Sequence, residues 1–183
     1  RRLVLVRDRL GIKPLYYHHI ENDLYFGSEL KTLFAHPEID RQIDLTGLNY
    51  YLSLNYIPAP FTLIDGIRKV MPGEYIEWHN GKLETQRYWN LSFQPQPVTL
   101  DQAQEELDTL LRRSVKEHLV SDVPLGVWSS GGLDSSTIVH YASEQVTGLK
   151  TFSVSFAGRN FDESRWFRTV AQTYGTDHHE FDL

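Results

Sequence analysis

The sequence contains no cysteine, which excludes disulfides and thiolate-held metal sites and fits a reducing compartment. It has no apolar run long enough to cross a bilayer. After Arg1 and Arg2 comes only LVLV, too short for a signal-peptide core as well, so a cytoplasmic location is expected. Clusters of lysine and arginine interleaved with aromatics are missing too, and the formal charge is −6, so neither nucleic acid nor an anionic membrane is an expected partner. What is present is apolar material for one large domain or two small ones: 183 residues, 40% hydrophobic and 13% aromatic.

The stretch SSGGLDSS (129–136) carries the chemistry. VPLGV (123–127) before it reads as a short buried strand. TIVHYASEQV (137–146) after it reads as a helix that packs through Ile138, Val139, Tyr141, Ala142 and Val146. Gly131 and Gly132 allow positive φ and close approach of a ligand to backbone amides, and the first amides of the helix are unpaired. Such a turn holds a phosphate or pyrophosphate. Ser130, Ser135 and Ser136 add hydroxyl donors, and Asp134 is the one carboxylate, suited to a Mg²⁺ that bridges phosphate oxygens. No lysine follows the glycines before Lys150, so this is not the GxxxxGK[ST] loop of γ-phosphate transfer. The plainer reading is a glycine turn with Asp134 or a serine as helix cap. Taken whole, SGGLDSS resembles the pyrophosphate-binding motif of ATP pyrophosphatases, which cleave ATP between the α- and β-phosphates to adenylate a substrate.

In chain order, RRLVLVRD (1–8) is a strand with no preceding cap or turn, so the natural N-terminus is expected to lie upstream. LYYHHI (15–20) and LYFGS (24–28), joined by Glu21, Asn22 and Asp23, read as a hairpin. Ser28 is expected to cap a short helix ELKTLF ended by Pro37, and Thr46 a second helix GLNYYLSL with Leu48, Tyr51 and Leu52 on one side. GEYIEWH and KLETQRYW, joined by Asn80-Gly81, form a second hairpin. SFQPQPV (92–98) is aperiodic, has two prolines and reads as a linker. Beyond it, Thr99 and Gln102 have capping-box spacing before a helix whose Ala103, Leu107, Leu110, Leu111, Val115 and Leu119 form a core stripe. The phosphate loop and its helix follow, then the strand TFSVSF (151–156), a helix over 163–174 with Asp162 as N-cap, and a strand in HHEFDL (178–183). The expected class is therefore two-domain, antiparallel α+β over 1–91 and α/β over 99–183. The second part is a β-α-β-α-β run with a parallel sheet, and ligands of such sheets bind beyond the carboxyl ends of the strands. With three strands and no polar tail, this domain is expected to continue past Leu183.

RDRLGIKPLYY (7–17), FGSELKTL (26–33), IRKVMPGEY (67–75), SDVPLGVWSSGGLDSS (121–136) and GTDHHEFDL (175–183) together resemble glutamine-hydrolysing asparagine synthetases, in that family's order and over nearly the whole chain. The resemblance implies the end of a glutaminase domain of the N-terminal-nucleophile type (1–91), a linker (92–98) and the start of an ATP-pyrophosphatase, or PP-loop, synthetase domain (99–183). It implies glutamine, aspartate and ATP as substrates, Mg²⁺ as metal, and admits a homodimer. In that family ammonia released from glutamine travels through a tunnel to an aspartate adenylated at its β-carboxylate. The resemblance assigns Ser129, Ser130, Gly131, Gly132, Asp134, Ser135, Ser136 and Val154 to ATP and pyrophosphate binding, with Asp134 also at the metal. Ser129 replaces the leucine usual beside the nucleotide. The family's nucleophilic cysteine is not in this sequence, so no catalytic residue is assigned, and these residues alone are expected neither to hydrolyse glutamine nor to synthesise an amide.

Other chemistry-bearing residues have structural readings. His178 and His179 before Glu180 point to opposite faces of a strand and form no zinc site. Asp162 and Glu163 belong to a helix start, His18 and His19 to a hairpin, and Arg7 and Asp8 to a pair within the first domain. Three alternatives stay open: a relative that amidates another acid or closes a β-lactam, another pyrophosphatase-type enzyme acting on a nucleobase or tRNA, and a non-catalytic nucleotide-binding remnant.

Overall fold

The structure, a computed structural model, describes residues 2–156, 158 and 162–183. The chain divides into two compact units, Arg1–Gln94 and Pro95–Leu183. The first runs β1 (Arg2–Val6), β2 (Tyr16–Ile20), β3 (Asp23–Gly27), α1 (Leu30–Leu33), α2 (Leu45–Leu54), β4 (Ile67–Lys69), β5 (Glu74–His79) and β6 (Lys82–Arg87). Its strands make two antiparallel sheets, ordered β1-β5-β6 and β3-β2-β4. Both expected hairpins are present. Asn80 at φ 49° and Gly81 at φ 77° supply the two left-handed positions that a two-residue turn needs between β5 and β6. The apolar faces close over two clusters, one around Leu5, Val70 and Ile76 and one around Leu33, Ile39 and Ile67.

The caps in this unit differ from expectation. α1 starts at Leu30 with Glu29 at the N-cap position, so Ser28 does not cap it. α2 is capped by Asp44, not Thr46: one carboxylate oxygen accepts from the amides of Thr46 and Gly47, which places Thr46 inside the first turn. Tyr51 and Leu52, expected on the packed side of α2, are exposed. Arg7 and Asp8 do not pair with each other. The Arg7 guanidinium donates to the carbonyls of Lys13, Val70 and Gly11, and Asp8 accepts from the amides of Ile12 and Lys13. Those amide bonds, Lys13 foremost, hold the Asp8 carboxyl below its ordinary pKa. Both side chains thus clamp the loop between β1 and β2.

The second unit runs α3 (Leu100–His118), β7 (Gly126–Trp128), α4 (Leu133–Ser143), β8 (Lys150–Ser155), α5 (Ser164–Tyr174) and β9 (Asp177–Asp182). Its sheet is parallel in the order β7-β8-β9, as the alternation of strands and helices requires. The capping box at Thr99 and Gln102 forms as expected. The core gathers Val115, Val139, Tyr141, Ala142 and Leu149, with Leu111 and Leu119 packed against it. Leu107 and Leu110 are exposed, so only the C-terminal half of the α3 stripe is core; α3 has 19 residues against the 11 of α4 and outruns it. Arg112 ties the two helices by pairing with Glu144, and the Tyr141 hydroxyl donates to Asp108.

The strand before the loop is shorter and less buried than expected. Pro124 has no N–H to give a ladder, pairing begins only at Gly126, and Val123 and Trp128 are each 68% exposed. The helix after the loop begins at Leu133, four residues earlier than read, because Gly132 already occupies the N-cap position. Among the described residues no helix is long and apolar enough to cross a membrane.

Candidate functional site

The loop between β7 and α4 lies at the carboxyl end of the sheet. Its first residue is welded to the neighbouring strand. The Ser129 amide donates to the Phe152 carbonyl at 2.8 Å, and the Ser129 carbonyl accepts from the Ser153 hydroxyl. Gly131 then turns the chain at φ +79°. A Cβ there would lie 2.5 Å from the Phe167 amide nitrogen and 2.6 Å from Trp166, so the turn sits directly on the first turns of α5. Gly132 is different. Its φ is −72°, so only one of the two glycines takes the left-handed conformation expected of both. A Cβ on Gly132 would meet nothing closer than the Ser130 hydroxyl at 3.3 Å.

No side chain caps α4, which leaves its first amides, those of Leu133, Asp134 and Ser135, without a side-chain acceptor. The loop hydroxyls hold its shape. Ser130 Oγ accepts from the Gly132 amide and lies 3.1 Å from Ser135 Oγ, while Ser135 and Ser136 both donate to the Gly132 carbonyl. Free backbone N–H groups at a helix start, with hydroxyls beside them, make a site for an anion.

Beside the loop opens a cleft of ≈ 420 Å³, within the range of about 300–1,000 Å³ usual for small-ligand sites. Ser129, Ser130, Ser135 and Val154 line it, together with Ser153, Glu163 and the rings of Trp128, Phe156 and Phe167. Four of the residues singled out from sequence therefore meet on one wall. Gly131 and Gly132 in the adjoining turn, and Asp134 and Ser136 in the start of α4, do not line the cleft. Ser136, read as a donor to the anion, spends its hydroxyl on Gly132. A second cleft of ≈ 430 Å³ is lined by Val115, Leu119, Val127, Ile138 and Ala142 among others; Ser114 and His118 are its polar side chains, and it has no share of the loop amides.

Glu163 and Ser153 were not anticipated as lining residues. Glu163 holds the N-cap position of α5 without a capping bond, and the capping is done by Asp162, which accepts from the Ser164 amide and hydroxyl and from the Phe156 amide. The Ser164 bonds foremost hold Asp162 below its ordinary pKa. The Glu163 carboxylate would repel a phosphate, which leaves the loop end of the cleft for the anion and the aromatic walls for an uncharged group. The alternation in TFSVSF carried a signal for Ser153, since Thr151, Ser153 and Ser155 share one buried face of β8.

A divalent cation at the loop would find one carboxylate there, Asp134, beside the Glu163 carboxylate that lines the cleft. Asp134 is exposed in the first turn of α4, and no group of three or more acidic or histidine side chains that could hold a metal occurs among the described residues. That donor set fits an ion carried in by phosphate oxygens and held by one protein ligand and water, the habit of Mg²⁺. His178 and His179 stay apart. The first meets Thr151 and the Phe167 ring, while the second stacks on Phe152.

Residues 1–89 match the family model of a glutamine amidotransferase domain, and residues 106–183 match that of asparagine synthase. Over 97% of its length the chain is 32% identical to the glutamine-hydrolysing asparagine synthetase 3 of Bacillus subtilis (strain 168), and over 93% it is 38% identical to asparagine synthetase 1 of the same strain. It spans only 32% and 27% of those two proteins. With both halves matched in the same order as in these relatives, the chain belongs to the family of glutamine-hydrolysing asparagine synthetases.

Proposed function

We propose that the chain is part of a glutamine-dependent asparagine synthetase, with the later portion of an N-terminal-nucleophile glutaminase domain in 1–91, a linker in 92–98 and the first portion of a PP-loop synthetase domain in 99–183. In the reaction, an oxygen of the aspartate β-carboxylate attacks the α-phosphorus of ATP, and the bond to the β-phosphate breaks with release of pyrophosphate. Ammonia freed from the glutamine amide then attacks the acyl carbon, and AMP leaves.

One observation carries this reading: an uncapped helix start, reached through the left-handed turn at Gly131, opens beside a cleft walled by Ser129, Ser130, Ser135 and Val154. Pyrophosphate is a poor leaving group unless its charge is held, and fixed amide dipoles hold it without reorganising. The amides of Gly131, Leu133, Asp134 and Ser135 and the hydroxyl of Ser130 supply that field, Val154 and Ser129 bound the adenosine half, and Asp134 would be the protein ligand for magnesium. Bound there, Mg²⁺ would neutralise phosphate charge.

The test is a product balance on the full-length protein carrying these residues, given aspartate, Mg-ATP and either glutamine or ammonium. Asparagine, AMP and pyrophosphate should appear in equal amounts with both nitrogen donors, whereas residues 1–183 alone, having no cysteine, should release no glutamate from glutamine. Formation of ADP and phosphate, or turnover independent of aspartate, overturns the reading.

A further inference from the structure

The described residues include six buried ones whose side chains carry an aliphatic hydroxyl: Thr62, Ser129, Thr151, Ser153, Ser155 and Ser164. Five have partners. Thr62 donates to the carbonyls of Ile64 and Ile67, Thr151 meets Thr176 and His178, Ser153 donates to the Ser129 carbonyl, Ser155 to Asp182 and Ser164 to Asp162. The Ser129 hydroxyl alone has none, although the residue is only 4% exposed. A buried hydroxyl without a partner forfeits its hydrogen bonds to water and gains nothing in return, so folded proteins rarely keep one without a use.

Its position supplies the use. Ser129 lines the cleft together with Val154, the loop serines Ser130 and Ser135, and the rings of Trp128, Phe156 and Phe167. Its own N–H and C=O are both committed to β8, which makes the hydroxyl its one polar group left for a ligand. The oxygen itself is covered in the ligand-free protein, so meeting a ligand takes a turn about χ1 toward the cleft, which no existing hydrogen bond opposes. We propose that Ser129 is a specificity-determining residue of the nucleotide site, with its hydroxyl hydrogen-bonded to a polar atom of the nucleoside half of the ligand. The inference rests on the nucleotide reading above and deepens it: a residue that bounds the adenosine by shape alone needs no hydroxyl, and this one does more.

The nucleoside, not the phosphates, is the partner because the phosphate end already has its donors in the amides of Gly131, Leu133, Asp134 and Ser135 and in the Ser130 hydroxyl. Ser129 sits one residue before them, in the wall and not in the turn. A purine or ribose offers both donors and acceptors, and a serine hydroxyl answers either.

The experiment compares the full-length protein with its Ser129→Ala variant, which removes one oxygen and keeps the shape. Affinities for ATP, AMP and inorganic pyrophosphate are read by calorimetry, and the ligand-free melting temperature by scanning calorimetry. The variant should bind ATP and AMP about three- to tenfold more weakly, the worth of one neutral hydrogen bond, with pyrophosphate unchanged. Its ligand-free melting temperature should stay the same or rise, because an unsatisfied buried group has been removed. Equal AMP and ATP affinities in the two proteins overturn the inference and leave the nucleotide reading standing, as does a loss of pyrophosphate binding in parallel. A lowered melting temperature assigns the hydroxyl to the fold and overturns it as well. Failure of the unmutated protein to bind any of the three ligands removes the nucleotide reading and this inference with it.

Discussion

A methyl group placed on Gly131 and one placed on its neighbour Gly132 meet opposite surroundings, and the contrast separates shape from ligand approach. At Gly131 the methyl would force a left-handed residue into backbone atoms of α5 at 2.5–2.6 Å. Gly131→Ala should cost about 2–4 kcal/mol of stability from strain and overpacking. At Gly132 the methyl has room within the protein and stands beside the amides that would cradle an anion. Gly132→Ala should melt near the unmutated protein yet bind pyrophosphate more weakly. Thermal melts with and without pyrophosphate check both, and equal melting of the two variants would contradict the argument. In the sequence the two glycines look alike. Which one turns the chain depends on where α5 packs, a contact between residues more than thirty positions apart. For the same reason sequence could group Ser130, Ser135 and Ser136 but not tell that Ser136 turns its hydroxyl back onto Gly132.

Among the elements, β8 holds its neighbours through side chains as well as through its ladder. The buried hydroxyls of Thr151, Ser153 and Ser155 reach His178, Ser129 and Asp182 in turn. Burial, the largest influence, lowers the pKa of His178 below the 6.5 of free imidazole; Glu180 raises it, and His179 and Arg168 lower it further. Because the folded pKa lies below the unfolded one, the unfolded chain takes up the proton more readily between them. The contribution of neutral His178 to stability is therefore complete above pH 6.5 and is lost as pH falls through the folded value. Melting temperatures between pH 7.5 and 5 should fall more steeply for the unmutated chain than for His178→Gln, and parallel slopes would speak against it. At this scale much was legible. Asn80-Gly81 marked its hairpin, Thr99 and Gln102 their helix start, and alternating strands and helices a parallel sheet. The misread cap of α2, Thr46 for Asp44, arose because Thr and Asp compete for one role within two residues, while α1 starts one residue too late for Ser28, with Glu29 at the N-cap position and no side-chain cap. Backbone path decides among them. The exposure of Leu107 and Leu110 was illegible because periodicity gives the stripe of a helix but not where its partner ends.

Over the whole molecule, the chain passes from one unit to the other through a segment with no regular structure. Tyr88 and Trp89 are still anchored to the first unit through their amides, which donate to the Gly73 carbonyl, and α3 opens at Leu100. Between them residues 90–99 are all exposed, Phe93 at 82%. Brief chymotrypsin digestion should cut first at Phe93 and leave two resistant fragments, read by mass spectrometry, since an extended, solvated backbone fits a protease and a packed one does not. First cleavage inside either unit would count against the division. The compact units divide between Gln94 and Pro95; the linker bounds of 92–98, drawn from two prolines and a loss of periodicity, are what the digestion would test. The welding of Ser129 to β8 and of Gly131 to α5 has a consequence for time as well as for shape. A turn held on both sides has no separate closing motion to complete when a ligand arrives, so a nucleotide bound there would be captured at the rate of encounter and orientation. Differences in affinity among ligands or variants then reside in how long each complex lasts.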